Sequence, residues 1–504
     1  MTLDRAPASE LPHVFLLRFS GELGTKARVT RAQFVTRLLR NVRDALARAG
    51  IEAKVVRRHE RVRVEAADAA AEEVLSRVFG LQSLSKVERR PGGRLDEVVA
   101  AGLELFREAV RGRRFAVRAR RVGDARPPFT SRDVEVALGE ALRPFATRVD
   151  LDHPEVTVHV ELYEGHAYFF RERVPGPGGL PLGSSGRAVA LVSGGFDSAV
   201  AAWQMQRRGV ALEHVFCNLG GAAHELGVLR VMKVVAERWS AGVRPRLHAV
   251  DFAAVAAELR ERTEARYWQV LLKRQMLRTA ERVARERRAV AIVTGEAVGQ
   301  VSSQTLHNLA VISEATTLPI LRPLVGANKD EIIALAEKIG TAELSAVVQE
   351  YCAMVPRRPA TAAALDAILA EEARLDPEVL ERAVAGRRVF DLHALDPDAH
   401  GVPEIEVEAI PPGATVIDLR SRTAHRAWHW PGALQLDLGP ALQAYPSFDK
   451  EKTYVLYCEF GLKSAHLAEL MRRAGFEAFH VKGGTKRLMR AGAAELAAPV
   501  RGRP

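Results

Sequence analysis

Ala190–Leu191–Val192–Ser193–Gly194–Gly195–Phe196–Asp197–Ser198 is the stretch that predicts most about the fold of this chain. An apolar strand runs into a glycine-rich turn, and a helical pattern follows. Glycines let the backbone approach an anion, and the N–H groups of the turn and of the helix N-terminus can donate to phosphate. Ser193 and Ser198 add hydroxyl donors, whereas Asp197 would meet a phosphate through a shared Mg²⁺ ion. The stretch therefore predicts a nucleotide site at the end of a buried strand.

The order of residues in this turn separates it from the common phosphate-binding loop. It lacks the Gly-x-x-x-x-Gly-Lys-Ser/Thr pattern. An ordinary glycine-rich connection between a strand and a helix is the alternative interpretation. The Ser-Gly-Gly-x-Asp-Ser order resembles the PP-loop ATPases, which cleave ATP between the α- and β-phosphates and adenylate a substrate. That resemblance implies ATP, with Mg²⁺, as the cosubstrate.

The sequence around this turn predicts an α/β core and a second α/β unit behind it. Alternating strands and helices are typical of a doubly wound parallel sheet. The candidate strands lie at residues 188–192, 212–217, 246–250 and 289–294. Residues 175–181 are rich in glycine and proline and predict a linker, while helices are expected over residues 361–385. A last α/β unit begins near Glu404, with strands predicted at residues 415–419 and 453–457.

The N-terminal half predicts small α+β modules. A strand at residues 13–19 precedes a helix, and a further strand at 53–56 precedes a helix at 67–78. A second module runs from about residue 87 to 173, and its strand at 113–121 alternates apolar and basic residues. The basic face is either a charged edge strand or a surface for RNA phosphates. The arginines of this half that could contact RNA phosphates are Arg113, Arg114, Arg118, Arg120, Arg121, Arg126 and Arg132.

Composition bounds the remaining functions. The 504 residues carry a net charge of +11, which is compatible with a polyanionic partner. Three cysteines are too few for a disulfide scaffold, and the absence of a Cys-x-x-Cys motif argues against a structural zinc site. We find neither an apolar run long enough for a membrane span nor a cleavable leader, and we therefore expect a cytoplasmic protein without a membrane partner.

Several further motifs make a closer resemblance visible. They are Asn218–Leu219–Gly220–Gly221–Ala222–Ala223–His224–Glu225, Lys273–Arg274, Thr294–Gly295–Glu296–Ala297 and Gly299–Gln300–Val301–Ser302–Ser303–Gln304–Thr305. With the turn, they resemble the tRNA 4-thiouridine synthetase family over nearly the whole chain. The resemblance implies a multidomain α/β and α+β protein with a ferredoxin-like domain (1–80), a THUMP RNA-binding domain (81–173), a PP-loop ATPase domain (174–395) and a rhodanese-like domain (404–504).

The family's activity follows as an expectation from this resemblance. It implies thiolation of uridine 8 of tRNA to 4-thiouridine, a cysteine desulfurase as sulfur donor, and a homodimer. A second role in passing sulfur to a carrier protein for thiamine thiazole synthesis is also implied. Among the site residues, Asp197 is implied to be catalytic. The residues implied to bind ATP are Leu191, Val192, Ser193, Gly194, Gly195, Asp197, Ser198, Lys273, Gly295 and Gln304.

The sulfur carrier is predicted at Cys458, which lies between a strand and a helix in a Cys-x-x-Gly-x-x-Ser pattern. Backbone N–H groups of such a loop and the helix N-terminus favour an anionic sulfur. The pattern resembles the rhodanese active loop, and Val416–Ile417–Asp418–Leu419–Arg420 and His429–Trp430–Pro431–Gly432–Ala433 resemble two other rhodanese signatures. Cys352, by resemblance, forms a transient disulfide with Cys458. Cys217 is expected to be a small buried hydrophobic residue.

Three other functions compete with tRNA thiolation. A sulfurtransferase that serves only a carrier protein would have no use for an RNA-binding half. A small-molecule PP-loop synthetase would leave both that half and the Cys458 loop unexplained. A non-catalytic RNA-binding protein with decayed domains is opposed by the intact stretch 193–198 and by Cys458.

Overall fold

The computed structural model describes residues 11–58, 61–123, 127–348, 358–400, 405–459, 461–485 and 487–489. The chain divides into two compact units, one built mainly from residues 1–185 and the other mainly from residues 186–504. None of the described helices is both long and apolar enough to cross a membrane.

The first unit is built on a single mixed sheet. Its strands are β1 (His13–Phe19), β2 (Ala53–Arg58), β3 (Arg61–Ala66), β4 (Leu81–Pro91), β5 (Arg114–Arg121), β6 (Arg148–Val149), β7 (Val156–Tyr163), β8 (His166–Phe170) and β9 (Val174–Pro175). Its helices are α1 (Gly21–Gly24), α2 (Arg28–Arg48), α3 (Ala71–Leu75), α4 (Leu95–Phe106) and α5 (Ser131–Leu142). The strand order is β2-β3-β1-β4-β8-β7-β5-β6, with β9 beside β4.

Strand β4 joins the two N-terminal modules. Its residues 81–87 pair with β1, and its residues 88–91 pair with β8. One strand therefore serves both the ferredoxin-like and the THUMP part. The sequence pattern predicted two separate α+β modules. Nothing in the composition of β4 marks it as a strand that both modules share.

Strand β5 differs from its predicted alternation. Phe115, Ala116 and Val117 are all buried in succession, so both faces of this half are covered. Arg118 and Arg120 are exposed in the other half of the strand. Phe129 is buried in the core of the same module.

The second unit begins with an α/β core. Its strands are β10 (Arg187–Leu191), β11 (Ala211–Asn218), β12 (Arg246–Asp251), β13 (Ile292–Val293), β14 (Ile320–Leu321) and β15 (Arg388–Asp391). Its helices are α6 (Phe196–Arg207), α7 (Gly221–Trp239), α8 (Ala253–Arg262), α9 (Trp268–Arg287), α10 (Leu306–Ser313), α11 (Lys329–Ile339), α12 (Ala342–Ser345), α13 (Leu365–Glu372) and α14 (Pro377–Ala385).

The order of these strands creates a ligand crevice. It is β14-β13-β10-β11-β12-β15, with parallel neighbours except for the antiparallel edge strand β15. The chain runs from β10 through β11 to β12 on one side and returns to β13 on the other side of β10. Ligands of open α/β sheets bind at such a switch point, beyond the carboxyl ends of the strands. The predicted doubly wound sheet is confirmed, and the sequence did not reveal its antiparallel edge.

The strand predicted at 289–294 is regular over only two residues. Backbone hydrogen bonds nevertheless continue on both sides, from Val290 N to Arg187 O (3.0 Å) and from Thr294 N to Leu321 O (3.0 Å). The segment is therefore extended and tied to both neighbours, and its irregular register shortens the strand.

A second parallel sheet completes this unit. Its strands are β16 (Glu406–Val407), β17 (Thr415–Asp418), β18 (Leu434–Gln435), β19 (Thr453–Tyr457) and β20 (Glu477–Val481), and its helices are α15 (Arg422–Ala427), α16 (Leu438–Ala444) and α17 (Leu462–Arg473). The strand order is β16-β20-β19-β17-β18. Covered on both faces by apolar clusters, this sheet presents the carboxyl end of its central strand β19, which leads into Cys458.

Candidate active site

The glycine-rich turn follows β10 and is closed by serine hydroxyls. Ser193 N donates to Ser198 Oγ (3.2 Å), and Ser198 Oγ donates to Gly195 O (3.2 Å). Gly194 has a φ of +80°, and a Cβ at this position would lie 3.0 Å from both Val228 and Val348. The turn therefore requires glycine for its backbone conformation and for its close approach to α7.

Gly295 follows β13 and touches the turn from across the switch point. A Cβ on Gly295 would stand 2.8 Å from the carbonyl carbon of Asp197 and 2.9 Å from Ser198 N. The residue type thus allows two backbone segments to meet where the sheet opens. The structure brings together residues 193–198 and Gly295, which the family resemblance assigns to one ATP-binding site.

The carboxylate of Asp197 has two partners that the sequence did not identify. Lys329 Nζ donates to Oδ1 (2.8 Å) and Oδ2 (3.0 Å), and Gln300 Nε2 donates to Oδ2 (3.0 Å). Lys329 is the first residue of α11, where a cation opposes the helix dipole. An unfavourable charge at a helix start is the signal that could have marked Lys329 as functional.

Lys273 lies in a cluster of charges around Glu296. Lys273 Nζ donates to Glu296 Oε1 (2.9 Å), and Arg322 Nε donates to Oε2 (2.8 Å). Burial alone would raise the pKa of Glu296, but the attraction of Lys273 and Arg322 outweighs it and the pKa is lowered. The ionised carboxylate balances one of the two cations, so the cluster keeps a net positive charge that suits an anionic ligand.

The remaining predicted nucleotide residues have structural contacts. Gln304 Oε1 accepts a hydrogen bond from Ala297 N (3.3 Å) and so fixes the loop that contains Gln300. Val192 is buried, and its N–H donates to Val215 O (2.9 Å). Leu191 is partly buried against the core of the same sheet. The nucleotide-binding roles of these three residues stay predictions.

A Mg²⁺ ion would depend on the nucleotide for most of its ligands. Among the described residues, no group of three or more His, Cys, Asp or Glu side chains could hold a metal. Asp197 supplies one carboxylate next to the turn, and Mg²⁺ is commonly held by one or two carboxylates together with substrate phosphates. The residues present therefore fit an ion that arrives with a triphosphate.

Cys458 sits at the base of a tightly held loop after β19. The residue is buried, and Ser464 Oγ lies 3.5 Å from its Sγ as a donor. Thr485 holds the loop from the other side, because its N and Oγ1 donate to Cys458 O at 2.9 and 3.1 Å. Gly461, with a φ of +81°, turns the chain into α17. This helix begins at Leu462.

A buried charge network supports the Cys458 loop. Asp418 is fully buried and accepts hydrogen bonds from Arg420 Nε (2.9 Å) and from Tyr457 Oη (2.9 Å). Burial would raise the pKa of Asp418, but the hydrogen bonds from Arg420 and its neighbours keep that pKa low. The pKa of Tyr457 is raised, chiefly by burial. These contacts fix the residue that precedes Cys458.

A cavity of about 170 Å³ lies at Cys458. It is lined by Val347, Leu419, Arg420, Ser421, Cys458, Glu459 and Lys463. Val347 comes from the nucleotide core, and its neighbour Val348 packs against Gly194 of the glycine-rich turn. The cavity therefore joins the cysteine loop to the segment beside the nucleotide site. Cys352 follows five positions after Val347 and lies outside the described residues.

Cys217 lies at the end of β11, where the sequence predicted a buried residue. Its thiol is buried, and burial raises its pKa, so the neutral form persists at physiological pH. This prediction is confirmed.

Four family profiles match successive parts of the chain. They are described as ThiI ferredoxin-like domain (residues 14–85), THUMP domain (93–171), Thiamine biosynthesis protein (ThiI) (183–376) and Rhodanese-like domain (406–491). The predicted fold class is confirmed, while the domain boundaries given from the sequence stay predictions.

Curated relatives match over most of the chain. The tRNA sulfurtransferase of Pyrobaculum aerophilum is 37% identical, over 92% of this chain and 95% of its own. The tRNA sulfurtransferase of Desulfurococcus amylolyticus is 38% identical, over 94% and 98%.

Solved structures agree with these relatives. A 4-thiouridine synthetase–RNA complex with bound ATP has a TM-score of 0.67 and 31% identity, covering 75% of this chain and 99% of that one. PH1313 from Pyrococcus horikoshii Ot3, with a TM-score of 0.53 and 24% identity over 65% of this chain and 99% of that one, shares the fold.

The fold and site define a class of enzyme in which a PP-loop core is joined to a rhodanese-like domain. Within that class, the chain belongs to the ThiI family of tRNA sulfurtransferases.

Proposed function

We propose that this enzyme uses ATP with Mg²⁺ to adenylate O4 of uridine 8 in tRNA and replaces that oxygen with sulfur carried on Cys458. The glycine-rich turn at the switch point would hold the triphosphate. Asp197 would position the metal ion, and Lys329 and the cluster at Glu296 would add positive charge. The solved 4-thiouridine synthetase with bound ATP and RNA, which matches 75% of this chain, supports both ligands.

The observation that carries this proposal is the cavity at Cys458. One of its walls is Val347 of the nucleotide core, so a persulfide on Cys458 would face the domain that activates the base. Cys352 is the fifth residue after Val347, and five residues span at most about 18 Å of extended chain. Lys463 and Arg420 at the cavity wall would stabilise an anionic persulfide.

Sulfur passes from the donor to Cys458 and then to the base. A cysteine desulfurase places a sulfur atom on Cys458, giving a persulfide. Its terminal sulfur attacks C4 of the adenylated uridine and AMP leaves, which joins Cys458 to the base through two sulfurs. The Cys352 thiolate then attacks Cys458 Sγ, so that the thiolated base departs and a Cys352–Cys458 disulfide forms. If Cys352 attacks first, hydrosulfide is released and attacks C4. Either route ends at the disulfide, which an external dithiol reduces.

The N-terminal unit would hold the tRNA. Arg113, Arg118, Arg120 and Arg132 are exposed on the THUMP part, where guanidinium groups can contact RNA phosphates. Arg126 lies outside the described residues. The proposal includes the homodimer implied by the family and the cytoplasmic location expected for a tRNA-modifying enzyme.

The test is a sulfur-transfer assay on unmodified tRNA with ATP, Mg²⁺, cysteine and a cysteine desulfurase. We expect the native chain to form 4-thiouridine, seen by its near-ultraviolet absorbance, and Cys458→Ala to form none while still binding ATP. Cys217→Ala is the matched control, because that thiol is buried away from the cavity at Cys458. Thiolation that survives Cys458→Ala would contradict the persulfide role.

A second candidate function is sulfur transfer to a carrier protein for thiamine synthesis. The profile described as a thiamine biosynthesis protein, which matches residues 183–376, favours it. Native enzyme that passes sulfur from Cys458 to such a carrier, yet fails to thiolate tRNA, would establish this role in place of the first.

A further inference from the structure

The first turn of α7 is in contact with the last turn of α17. Glu469 of α17 directs its carboxylate to this turn, where Oε2 accepts a hydrogen bond from Ala223 N (3.3 Å). Arg473 donates to Oε1 of the same carboxylate (2.6 Å). The N–H groups of a first turn lack partners within the helix and carry partial positive charge, so a carboxylate is favourable there. The pair thus ties the rhodanese-like part to the nucleotide core.

The start of α7 is shaped for this contact. Gly221 has a φ of +79°, and a Cβ there would collide with the Glu469 carboxylate and would lie 2.6 Å from Arg473. A glycine at this position leaves the space that the two side chains fill. His466, one turn earlier on α17, is also buried, and burial together with the nearby His224 ring lowers the pKa of His466 to about 4. The contact between α7 and α17 is therefore closely packed and includes more residues than the ion pair of Glu469 and Arg473.

Both ends of this contact lead directly to the reactive loops. His224 Nε2 of α7 lies 3.3 Å from Ser193 O of the glycine-rich turn. Helix α17 begins four residues after Cys458, so its position fixes the cysteine loop. Holding α17 on α7 therefore keeps the Cys458 cavity against Val347.

We propose that Glu469 is a positioning residue that latches the rhodanese-like domain onto the first turn of α7, so that Cys458 faces the segment leading to Cys352. The role of this latch in catalysis rests on the proposed sulfur relay. The contact of Glu469 with α7 can nevertheless be tested without ATP or tRNA.

The experiment uses the full chain carrying Cys352→Ser and Val347→Cys, which puts a thiol on the wall of the Cys458 cavity. Oxidised glutathione should join this thiol to Cys458, with two electrons and two protons passing to glutathione, and mass spectrometry of peptides follows the rate. Adding Glu469→Arg puts a cation at the N-terminus of α7, so the rate should fall at least roughly fivefold. Glu451→Arg, an exposed position in the same domain, should leave the rate unchanged.

Two results would overturn the latch: no cross-link in the parent variant, or an equal rate with Glu469→Arg. Loading of Cys458 with radiolabelled sulfur by a cysteine desulfurase checks that the variant is folded. If Glu469→Arg fails to load, Glu469→Gln is used instead, and an unchanged cross-linking rate would again overturn the latch. A cross-link that depends on Glu469, together with a native chain that fails to thiolate tRNA, would support the latch and contradict the proposed function.

Discussion

At the scale of single residues, the carboxylate of Asp197 forms an ion pair with Lys329. The lysine side chain is only partly exposed and reaches the carboxylate from the start of another helix. A Mg²⁺ ion that arrives with a phosphate would bind Asp197. Lys329 would then be released from Asp197 and could contact the phosphate. Under the proposed function, Asp197 and Lys329 would therefore exchange partners when a nucleotide binds.

We predict that Lys329→Ala weakens ATP binding by about ten- to a hundredfold, because a hydrogen bond to a charged group is worth roughly 1.5–3 kcal/mol. Isothermal titration with ATP and Mg²⁺ measures this change. Lys338→Ala, at an exposed position of the same helix, should bind ATP like the native chain. Equal affinity of Lys329→Ala and the native chain would show that Lys329 does not meet the nucleotide.

Gly295→Ala tests the close approach of two backbone segments. The added methyl group would lie 2.8 Å from the carbonyl carbon of Asp197, so the turn must move. Overpacking of this kind costs about 1–3 kcal/mol, and we expect a lower melting temperature together with weaker ATP binding. Gly326→Ala is the control, since nothing lies within 4 Å of its added carbon. A variant Gly295→Ala with native stability and affinity would refute the packing argument.

The residues that sequence could predict at the site are those with strict backbone demands. Gly194 and Gly295 lie in recognisable motifs because each needs the absence of a side chain. Lys329 and Gln300 reach Asp197 through tertiary structure, 132 and 103 positions away. No local pattern encodes such distances, so only the unfavourable helix position of Lys329 hinted at its role.

At the scale of elements, a buried ion cluster joins strands of both N-terminal modules. Glu161 of β7 accepts hydrogen bonds from Arg18 of β1 (2.8 Å) and Arg61 of β3 (3.0 Å). Its side chain is 3% exposed. Burial favours the neutral acid, but the two guanidinium groups outweigh burial and lower the pKa of Glu161.

A lowered folded-state pKa predicts a definite pH dependence. The ionised form stabilises the fold above the ordinary value of 4.5, and this contribution is lost as the pH falls through the lower folded-state pKa. We expect Glu161→Gln to destabilise the N-terminal unit by about 3–5 kcal/mol at neutral pH, because two buried cations lose their partner. Hydrogen exchange of β1 and β7 between neutral and acidic pH measures both effects.

The matched control for this cluster is Glu97→Gln, at an exposed position of α4. This substitution should change neither the protection of β1 and β7 from hydrogen exchange nor the pH dependence of that protection. Native protection in Glu161→Gln would mean that the cluster does not hold the two modules together.

Element types were predictable where apolar periodicity was regular. Strands β1 and β19 have the bounds that their apolar runs predicted. Strand β4 was missed as a shared element, because pairing on both of its edges depends on partners far along the chain. The burial of both faces in the first half of β5 has the same origin.

At the scale of the whole molecule, sequence motifs predicted the fold class and the family. The same motifs did not predict the contact between the nucleotide core and the rhodanese-like part. Cys458 and Cys352 are 106 positions apart, and the sequence does not show how the two residues could meet. In the structure, α17 already lies on α7, through contacts that leave no motif except a glycine at position 221.

One consequence concerns the two neighbouring valines at the end of this core. Val347 faces the Cys458 cavity and Val348 faces the glycine-rich turn, so two adjacent residues line the proposed sulfur site and the proposed nucleotide site. A persulfide is readily consumed by cellular thiols when it reaches open water. Under the proposed function, this adjacency would let sulfur pass from Cys458 toward the activated base without entering open water. Such a transfer would be substrate channelling within a single chain.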